Sequence, residues 1–195
     1  MGDQNSKKGL RIAPGSTRYK LAQLVLKLIY KRDWHYISPW THYSLSGGVI
    51  MIHGDKMMLA TRRGVEQAGL LWYAGGHLDS GDKSVAEGAA REVFEECSIK
   101  IDHTRLTEET TINIKLKQKQ QYFEQADVDH LAFDYVYILS DGEASQLKDS
   151  TEMVGWTFYT EDEVVKLAEE GRLASYEALP VIKKAFKYAR EHSDR

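Results

Sequence analysis

The chain has 195 residues, 42% of them hydrophobic, with 26 basic and 29 acidic side chains. These amounts suit one compact domain, with or without an appendage, and they exclude a disordered chain. The single cysteine, Cys97, excludes an intrachain disulfide and a cysteine-based zinc site. The sequence has no run of about 18 apolar residues and no apolar signal core, so a cytoplasmic location is expected and a membrane one is not. The net charge of −3 argues mildly against a nucleic-acid partner.

The N-terminal region is basic, with eight basic and two acidic side chains in residues 1–33. Residues 1–16 are polar and predict a flexible lead-in, and residues 17–40 predict a helix and its connection. The helix has one apolar face, formed by Leu21, Leu24, Val25, Leu28 and Ile29. Gly2 and Ser6 fit the N-myristoylation pattern. We favour a chance match preceding a helix that packs on the domain or on a second subunit. The apolar stripe of this helix makes a homodimer reasonable.

The remaining residues, 41–192, predict one domain of strands and helices in uneven alternation. Strands are expected at 43–52, 56–61, 70–73, 110–116, 130–140 and 153–159, with a polar connection at 118–129. Helices are expected from the Ser84 and Glu87 capping box to about Cys97, from the Thr160 and Glu163 capping box to Gly171, and from about Pro180 to Glu191. This order predicts a mixed α/β or α+β sandwich.

The helix over residues 84–97 has an acidic face. Helical spacing places Glu92, Glu95 and Glu96 in one sector of about 100°, opposite an apolar side. Like charges at this spacing repel, and a divalent cation such as Mg²⁺ would remove the repulsion. A solvated acidic face, partly neutralised by Arg91 one turn from Glu95, explains the same pattern, so spacing leaves both interpretations open. Gly88 leaves room for an approaching group or for close packing.

The same segment resembles the signature of the Nudix hydrolases. The sequence Arg91-Glu92-Val93-Phe94-Glu95-Glu96-Cys97-Ser98-Ile99 matches the second half of that signature, with Ser98 in place of Gly. Gly76 and Asp82 match the first half, with Asp82 in place of Glu and one extra residue before Arg91. The Ser98 substitution is unfavourable for a left-handed helix end. The resemblance covers roughly residues 43–170 and implies an α/β/α sandwich with a mixed sheet.

The resemblance also implies a chemistry. Nudix enzymes use Mg²⁺ or Mn²⁺ and water to cleave a diphosphate linkage in a nucleoside diphosphate derivative. The resemblance assigns the metal ions to Glu92, Glu95 and Glu96, with the Gly75 carbonyl as an extra ligand. The expected general base is Glu92, oriented by Arg91, with Glu152 as the competing candidate. Replacing Glu96 is expected to reduce turnover by orders of magnitude, whereas Asp82 is expected to anchor the start of the helix.

The residues that would choose the substrate are less defined. Arg62, Arg63 and His77 are candidate phosphate contacts, although an ordinary surface role fits them at least as well. Trp72 is a candidate for stacking on a base, but aromatic residues in strands are more often part of the core. The region 115–119 lacks the Pro and Tyr that tend to mark ADP-ribose and diadenosine polyphosphate hydrolases. A small nucleotide is expected, such as a nucleotide sugar or a (d)NTP. The alternative is a non-catalytic Nudix-fold nucleotide sensor or adaptor.

Overall fold

The computed structural model describes residues 43–63, 68–79, 81–122, 126–175 and 178–192. The predicted lead-in and N-terminal helix lie outside these residues, as does the Gly2 myristoylation pattern. In the part of the chain that is described, no helix combines the length and the apolar character needed to cross a membrane.

The described residues form seven strands and four α-helices. The strands are β1 (Tyr43–His53), β2 (Lys56–Arg62), β3 (Leu71–Trp72), β4 (Ala74–His77), β5 (Thr111–Tyr122), β6 (Ala126–Ile138) and β7 (Met153–Thr160). The helices are α1 (Val85–Cys97), α2 (Asp141–Ala144), α3 (Glu161–Glu169) and α4 (Leu179–His192), with a short 3-10 turn at His103–Arg105.

All seven strands belong to one mixed sheet. Its main order is β3-β2-β1-β6-β5, while β4 pairs with β1 and β7 pairs with β2. Strands β1 and β6 are parallel, and the remaining pairs are antiparallel. The observed sheet confirms the prediction of a mixed sheet, since hairpins and one parallel crossover occur together.

Each face of the sheet has its own hydrophobic core. On one face, Ile50, Ile52 and Val136 pack with residues of α3 and α4 such as Val164 and Phe186. On the other face, Val49, Met51 and Tyr135 pack with Val93 and Cys97 of α1. Alternating side chains along β1 and β6 supply both cores because successive residues of a strand point to opposite faces. Helices therefore cover both faces, which confirms the predicted α/β/α sandwich.

Two strand predictions are wrong in detail. The polar run 118–129 is not a connection, because β5 continues to Tyr122 and β6 begins at Ala126. Backbone hydrogen bonds of a hairpin do not require apolar side chains, so polarity was a poor guide there. The single strand expected at 70–73 is two short strands on either side of Tyr73, β3 on β2 and β4 on β1. This division takes the chain from one part of the sheet to another just before Gly75.

Helix α1 has the bounds predicted for it. Ser84 accepts a hydrogen bond from the Glu87 N–H, but the Glu87 carboxylate accepts from Lys83 instead of completing the capping box. At the other end Ser98 adopts a left-handed conformation, with φ 62°, and its N–H donates to the Phe94 carbonyl. The Ser98 side chain therefore does not prevent the left-handed helix end, despite the cost of that conformation for a non-glycine residue.

Candidate active site

Helix α1 packs against a part of the sheet formed by glycines. Antiparallel pairing of β1 and β4 places Gly47 opposite Gly76 and Gly48 opposite Gly75. A Cβ atom on Gly76 would lie 2.5 Å from Cδ of Glu92. Such a distance is well inside van der Waals contact, so the glycine is what lets the Glu92 carboxylate lie against the strand.

The three glutamates of α1 differ in burial. Glu96 is 9% exposed as a residue, the Glu92 side chain is 17% exposed and the Glu95 side chain is 56% exposed. Oε2 of Glu96 accepts a hydrogen bond of 2.8 Å from the Gly75 N–H. The contact that ties Gly75 to the glutamates is therefore made by its N–H, while the sequence resemblance pointed to its carbonyl.

Arg91 links the glutamates to the loop before the helix. Its Nη1 donates to Glu92 at 2.9 Å and to Glu95 at 3.1 Å. Its Nε and Nη2 donate to the two carboxylate oxygens of Asp82 at 3.1 and 3.0 Å, and Nη2 also donates to the His77 carbonyl at 2.9 Å. A two-point contact of this kind fixes the orientation of a guanidinium. Arg91 thus joins the Glu92 carboxylate to the loop through hydrogen bonds to both.

The loop itself is fastened by Asp82. Its Oδ2 accepts a hydrogen bond of 2.7 Å from the Asp79 N–H. A Cβ on Gly88 would lie 2.8 Å from the same oxygen and 2.9 Å from Cγ of Leu78, so Gly88 leaves room for the loop to pack on the helix. The extra residue between Asp82 and Arg91 does not separate these two side chains.

The buried glutamates hold their protons more tightly than an exposed carboxyl does. Burial raises the pKa of Glu92 to about 7, although the Arg91 charge opposes the shift. Burial also raises the pKa of Glu96 to about 8, with the Gly75 N–H opposing and the Glu92 charge adding to the shift. Both shifts have the sign expected for carboxylates removed from water beside like charges.

The donor set suits a hard divalent cation. Glu92, Glu95 and Glu96 offer only carboxylate oxygens, which Mg²⁺ and Mn²⁺ prefer. Burial is the main cause of the raised pKa values of Glu92 and Glu96, and a cation bound beside them would stabilise their charged forms. Across the described ranges, however, no three His, Cys, Asp or Glu side chains already converge on one metal position. The chemistry of these side chains therefore suits the metal. Glu95 is more exposed to solvent than the other two glutamates.

Two other predicted residues lie near Glu96. The charge of Arg62, at the end of β2, lowers the pKa of Glu96, whereas the charge of Glu152 raises it. The Arg63 N–H donates to the Glu152 carbonyl at 2.8 Å, which joins the ends of β2 and β7. The structure thus brings Arg62 and Glu152 to the glutamates, and the exposed Arg63 takes part through its backbone.

The remaining candidates have neighbours of their own. Trp72 stacks on Tyr73, with ring centroids 4.5 Å apart, and packs against the core that includes α3 and α4. The His77 ring lies 4.9 Å from the ring of His130, whose Nε2 is 2.9 Å from Oγ of Ser46. These contacts of Trp72 are those of a core residue. His77 lies on β4, two residues after Gly75, and so is close to the glutamates along the strand.

Sequence reasoning missed two features of the site. Asp79 lies 3.8 Å from Nη1 of Arg91, as a further carboxylate around that guanidinium. Gly47 admits α1 to the sheet, since a Cβ there would lie 2.7 Å from Cβ of Ala89. The Gly47-Gly48 pair inside a strand-forming stretch was a usable signal, because glycine in a strand often marks a close approach.

Comparison with known proteins gives a family and a set of folds. The family model described as the NUDIX domain matches residues 42–181. None of the curated proteins matches the sequence. The similar solved structures include a NUDIX hydrolase from Nitrosomonas europaea, with 19% identity, a TM-score of 0.54, and coverage of 74% of this chain and 88% of that one.

Two further structures hold nucleotides. The bifunctional NMN adenylyltransferase/ADP ribose pyrophosphatase from Francisella tularensis, complexed with AMP and a Mn ion, is 15% identical with a TM-score of 0.54. The match covers 88% of this chain and 50% of that one, so this chain spans half the length of that protein. The NUDIX domain of Shewanella oneidensis NrtR, complexed with ADP ribose, is 12% identical with a TM-score of 0.53 and coverage of 72% and 86%. The TM-scores, at identities below 20%, show a shared fold alone.

Proposed function

The chain belongs to the NUDIX domain family, and from that premise we propose that it cleaves a diphosphate linkage in a nucleoside diphosphate derivative. The prediction that the chain belongs to the Nudix family is confirmed by this match, and the hydrolase activity is part of the proposal. The proposal adds that the reaction depends on Mg²⁺ or Mn²⁺ and that water attacks phosphorus. The substrate and the residue roles given below are part of the proposal.

One observation carries the proposal: the buried Glu96 and the half-buried Glu92 lie one turn apart on α1, with their carboxylates against the glycines of β4. Burying a carboxylate is unfavourable unless a partner compensates it. Gly75 donates one hydrogen bond to Glu96 and Arg91 donates one to Glu92. The raised pKa values show that these partners do not fully compensate the burial. A bound divalent cation would supply the missing positive charge.

The proposed residue roles combine the Nudix resemblance with the observed contacts. Glu92, Glu95 and Glu96 would hold the cation, with the Gly75 carbonyl as a further oxygen. When bound, the cation would neutralise the charge that develops on the attacking and leaving oxygens of the diphosphate. Arg91 orients Glu92 through its hydrogen bond to Oε1, which suits Glu92 to accept a proton from water.

The competing base, Glu152, is exposed, and its backbone is fixed beside the end of β2. Arg62 carries a positive charge close to Glu96, so it is the better placed of the two arginines to contact a phosphate. His77, on β4, is the second candidate contact. Trp72 would have to offer the ring face that does not stack on Tyr73 if it binds a base.

A small nucleotide is the proposed substrate, with nucleotide sugars and (d)NTPs as the classes to examine first. Support comes from the AMP, Mn ion and ADP ribose held by structures with this fold. The test is to incubate purified protein with Mg²⁺ and a nucleotide panel, and to measure phosphate release with and without added phosphatase. Turnover of at least one nucleotide, abolished by EDTA, is expected. No turnover of any member with Mg²⁺ or Mn²⁺ would contradict the proposal.

A non-catalytic nucleotide sensor is the second candidate. It is favoured by two departures from the Nudix signature, Ser98 in place of Gly and the extra residue between Asp82 and Arg91. Isothermal titration with the same nucleotides separates the two. A sensor would bind a nucleotide without turning it over, whereas the hydrolase would consume it whenever Mg²⁺ is present.

A further inference from the structure

The C-terminal end of α1 is tied to the segment that precedes and begins β7. The last carbonyl groups of a helix lack partners within the helix, so they need donors from elsewhere. The Glu96 carbonyl accepts a hydrogen bond of 3.3 Å from Nε1 of Trp156. The next carbonyl, of Cys97, accepts one of 2.9 Å from the Lys148 N–H. Two successive carbonyls, one of them on a candidate metal ligand, are therefore satisfied by residues 148–156.

The same segment carries Glu152, whose backbone is held at both ends. Its N–H donates to Oγ of Ser150 at 3.2 Å, and its carbonyl accepts from the Arg63 N–H at 2.8 Å. Oγ of Ser150 also accepts from the Met153 N–H at 3.0 Å. A turn with this many internal hydrogen bonds presents Glu152 from a defined position. The Glu152 side chain is exposed, yet its charge acts on Glu96.

Trp156 directly follows the Glu152 turn in the chain and is hydrogen-bonded to the Glu96 end of α1. Gly155, with φ 69°, donates its N–H to Asp149 at 2.9 Å, and this bend closes the Glu152 turn immediately before Trp156. The half-buried Trp156 ring packs against the core shared with α1. The indole of Trp156 has one donor and no acceptor, and its hydrogen bond to the Glu96 carbonyl uses that donor.

We propose that Trp156 is a positioning residue that holds the Glu96 end of α1 in register with the Glu152 turn. The inference rests on the proposed function, because it concerns two residues assigned to that site. Trp156 does not contact the reacting atoms; it acts through the Glu96 backbone. Active-site groups displaced by about 1 Å can lose about 100-fold in rate, so a single anchoring hydrogen bond can be felt in turnover.

The test replaces Trp156 by Phe, which keeps an aromatic ring and removes the donor. The matched control is Tyr137→Phe in the same core, which removes a hydroxyl that donates to Glu143 and accepts from Arg105 and the Asp102 N–H, none of which belongs to α1. Two quantities are measured for each protein: kcat and KM on a nucleotide that the wild type hydrolyses, and Mn²⁺ affinity by electron paramagnetic resonance. We expect W156F to lower kcat about tenfold with KM nearly unchanged, and to weaken Mn²⁺ binding about threefold. The control should change neither by more than about twofold.

A double variant distinguishes positioning from general support of the fold. If Trp156 acts by aligning Glu96 with Glu152, the effect of W156F on kcat should shrink in an E152Q background, since coupled residues are not additive. Full additivity, or equal losses in W156F and Y137F, would overturn the inference. If the wild type hydrolyses no nucleotide, the proposed function fails, and the inference about Trp156 is then tested by Mn²⁺ affinity alone. Unchanged Mn²⁺ affinity in W156F would then overturn it, as would a wild type that binds no Mn²⁺.

Discussion

Two acidic stretches of this chain are alike in composition and opposite in environment. Helix α1 carries Glu92, Glu95 and Glu96 near its end, and helix α3 begins with Glu161, Asp162 and Glu163. Each has three acids within five residues. In α1 the charges approach a C-terminus, where the helix dipole disfavours them, whereas in α3 they lie in the first turn, where the dipole favours them.

Their hydrogen bonds show the same contrast. Glu163 completes a capping box, since its carboxylate accepts from the Thr160 N–H and hydroxyl. Those hydrogen bonds lower the pKa of Glu163. Glu96, by comparison, is buried, and burial raises its pKa to about 8. An acidic cluster becomes a candidate for cation binding when burial and a helix C-terminus disfavour its negative charge.

The largest expected effect separates these stretches by activity. Glu96→Gln keeps the shape of the side chain and removes its charge, so kcat should fall by about 1,000-fold or more. The matched change Glu163→Gln should leave kcat within about twofold, because Glu163 only caps α3. Steady-state kinetics on one hydrolysed nucleotide checks both variants. Comparable losses in the two would remove the distinction drawn here.

The packing of α1 on β4 can be broken without touching a charge. Gly76→Ala would place a Cβ 2.5 Å from Glu92 Cδ, so the carboxylate must move and kcat should fall about 100-fold. The control Gly81→Ala adds a Cβ with no neighbour within 4 Å and should be silent. The ratio of kcat in the two variants is the measurement. Near-wild-type turnover in Gly76→Ala would mean that Glu92 does not need its present position.

The buried carboxyls also predict how stability depends on pH. The folded-state pKa of Glu96 is raised to about 8, so its contribution to stability is complete below pH 4.5 and is lost as pH rises through 8. Metal-free protein should therefore lose up to a few kcal/mol between pH 5.5 and pH 8.5, since each pKa unit corresponds to about 1.4 kcal/mol. Urea unfolding in EDTA should show a smaller loss in E96Q than in the exposed-site control E95Q. Equal losses would argue against a buried, strained Glu96.

The smallest expected effect concerns α3 alone. Thr160→Ala removes the N-cap, which accepts from the Glu163 N–H, and should lower the free energy of unfolding by about 1 kcal/mol. Turnover should stay unchanged. Urea unfolding and kinetics on the same sample check this separation of stability from function. A parallel fall in kcat would show that α3 communicates with the site.

Much of this fold was predictable because local signals agreed. Ser84 at the start of α1 and the apolar periodicity up to Cys97 gave correct bounds for the helix. The hairpin β5–β6 was underestimated because the polar run 118–129 contains no apolar alternation, although its backbone pairs. The capping box at Ser140 and Glu143, which begins the short helix α2, was also missed.

Less of the site could be predicted. Helical spacing puts Glu92, Glu95 and Glu96 in one sector, but burial separates the sheltered Glu96 from the exposed Glu95, and that depends on how α1 lies on the sheet. The reason for Gly88 also lies in a tertiary contact, the approach of Asp82. The prediction of the Nudix family is confirmed by the family match, whereas the assignment of individual residues stays a prediction.

Divalent cation binding tests the central claim most directly. Electron paramagnetic resonance with Mn²⁺ would compare the wild type with E96Q, altered at the buried glutamate of α1, and with E163Q, altered at an exposed glutamate of α3. We predict that the wild type and E163Q bind Mn²⁺ alike and that E96Q binds at least about tenfold more weakly. Equal binding by all three proteins would contradict the assignment of the cation to α1.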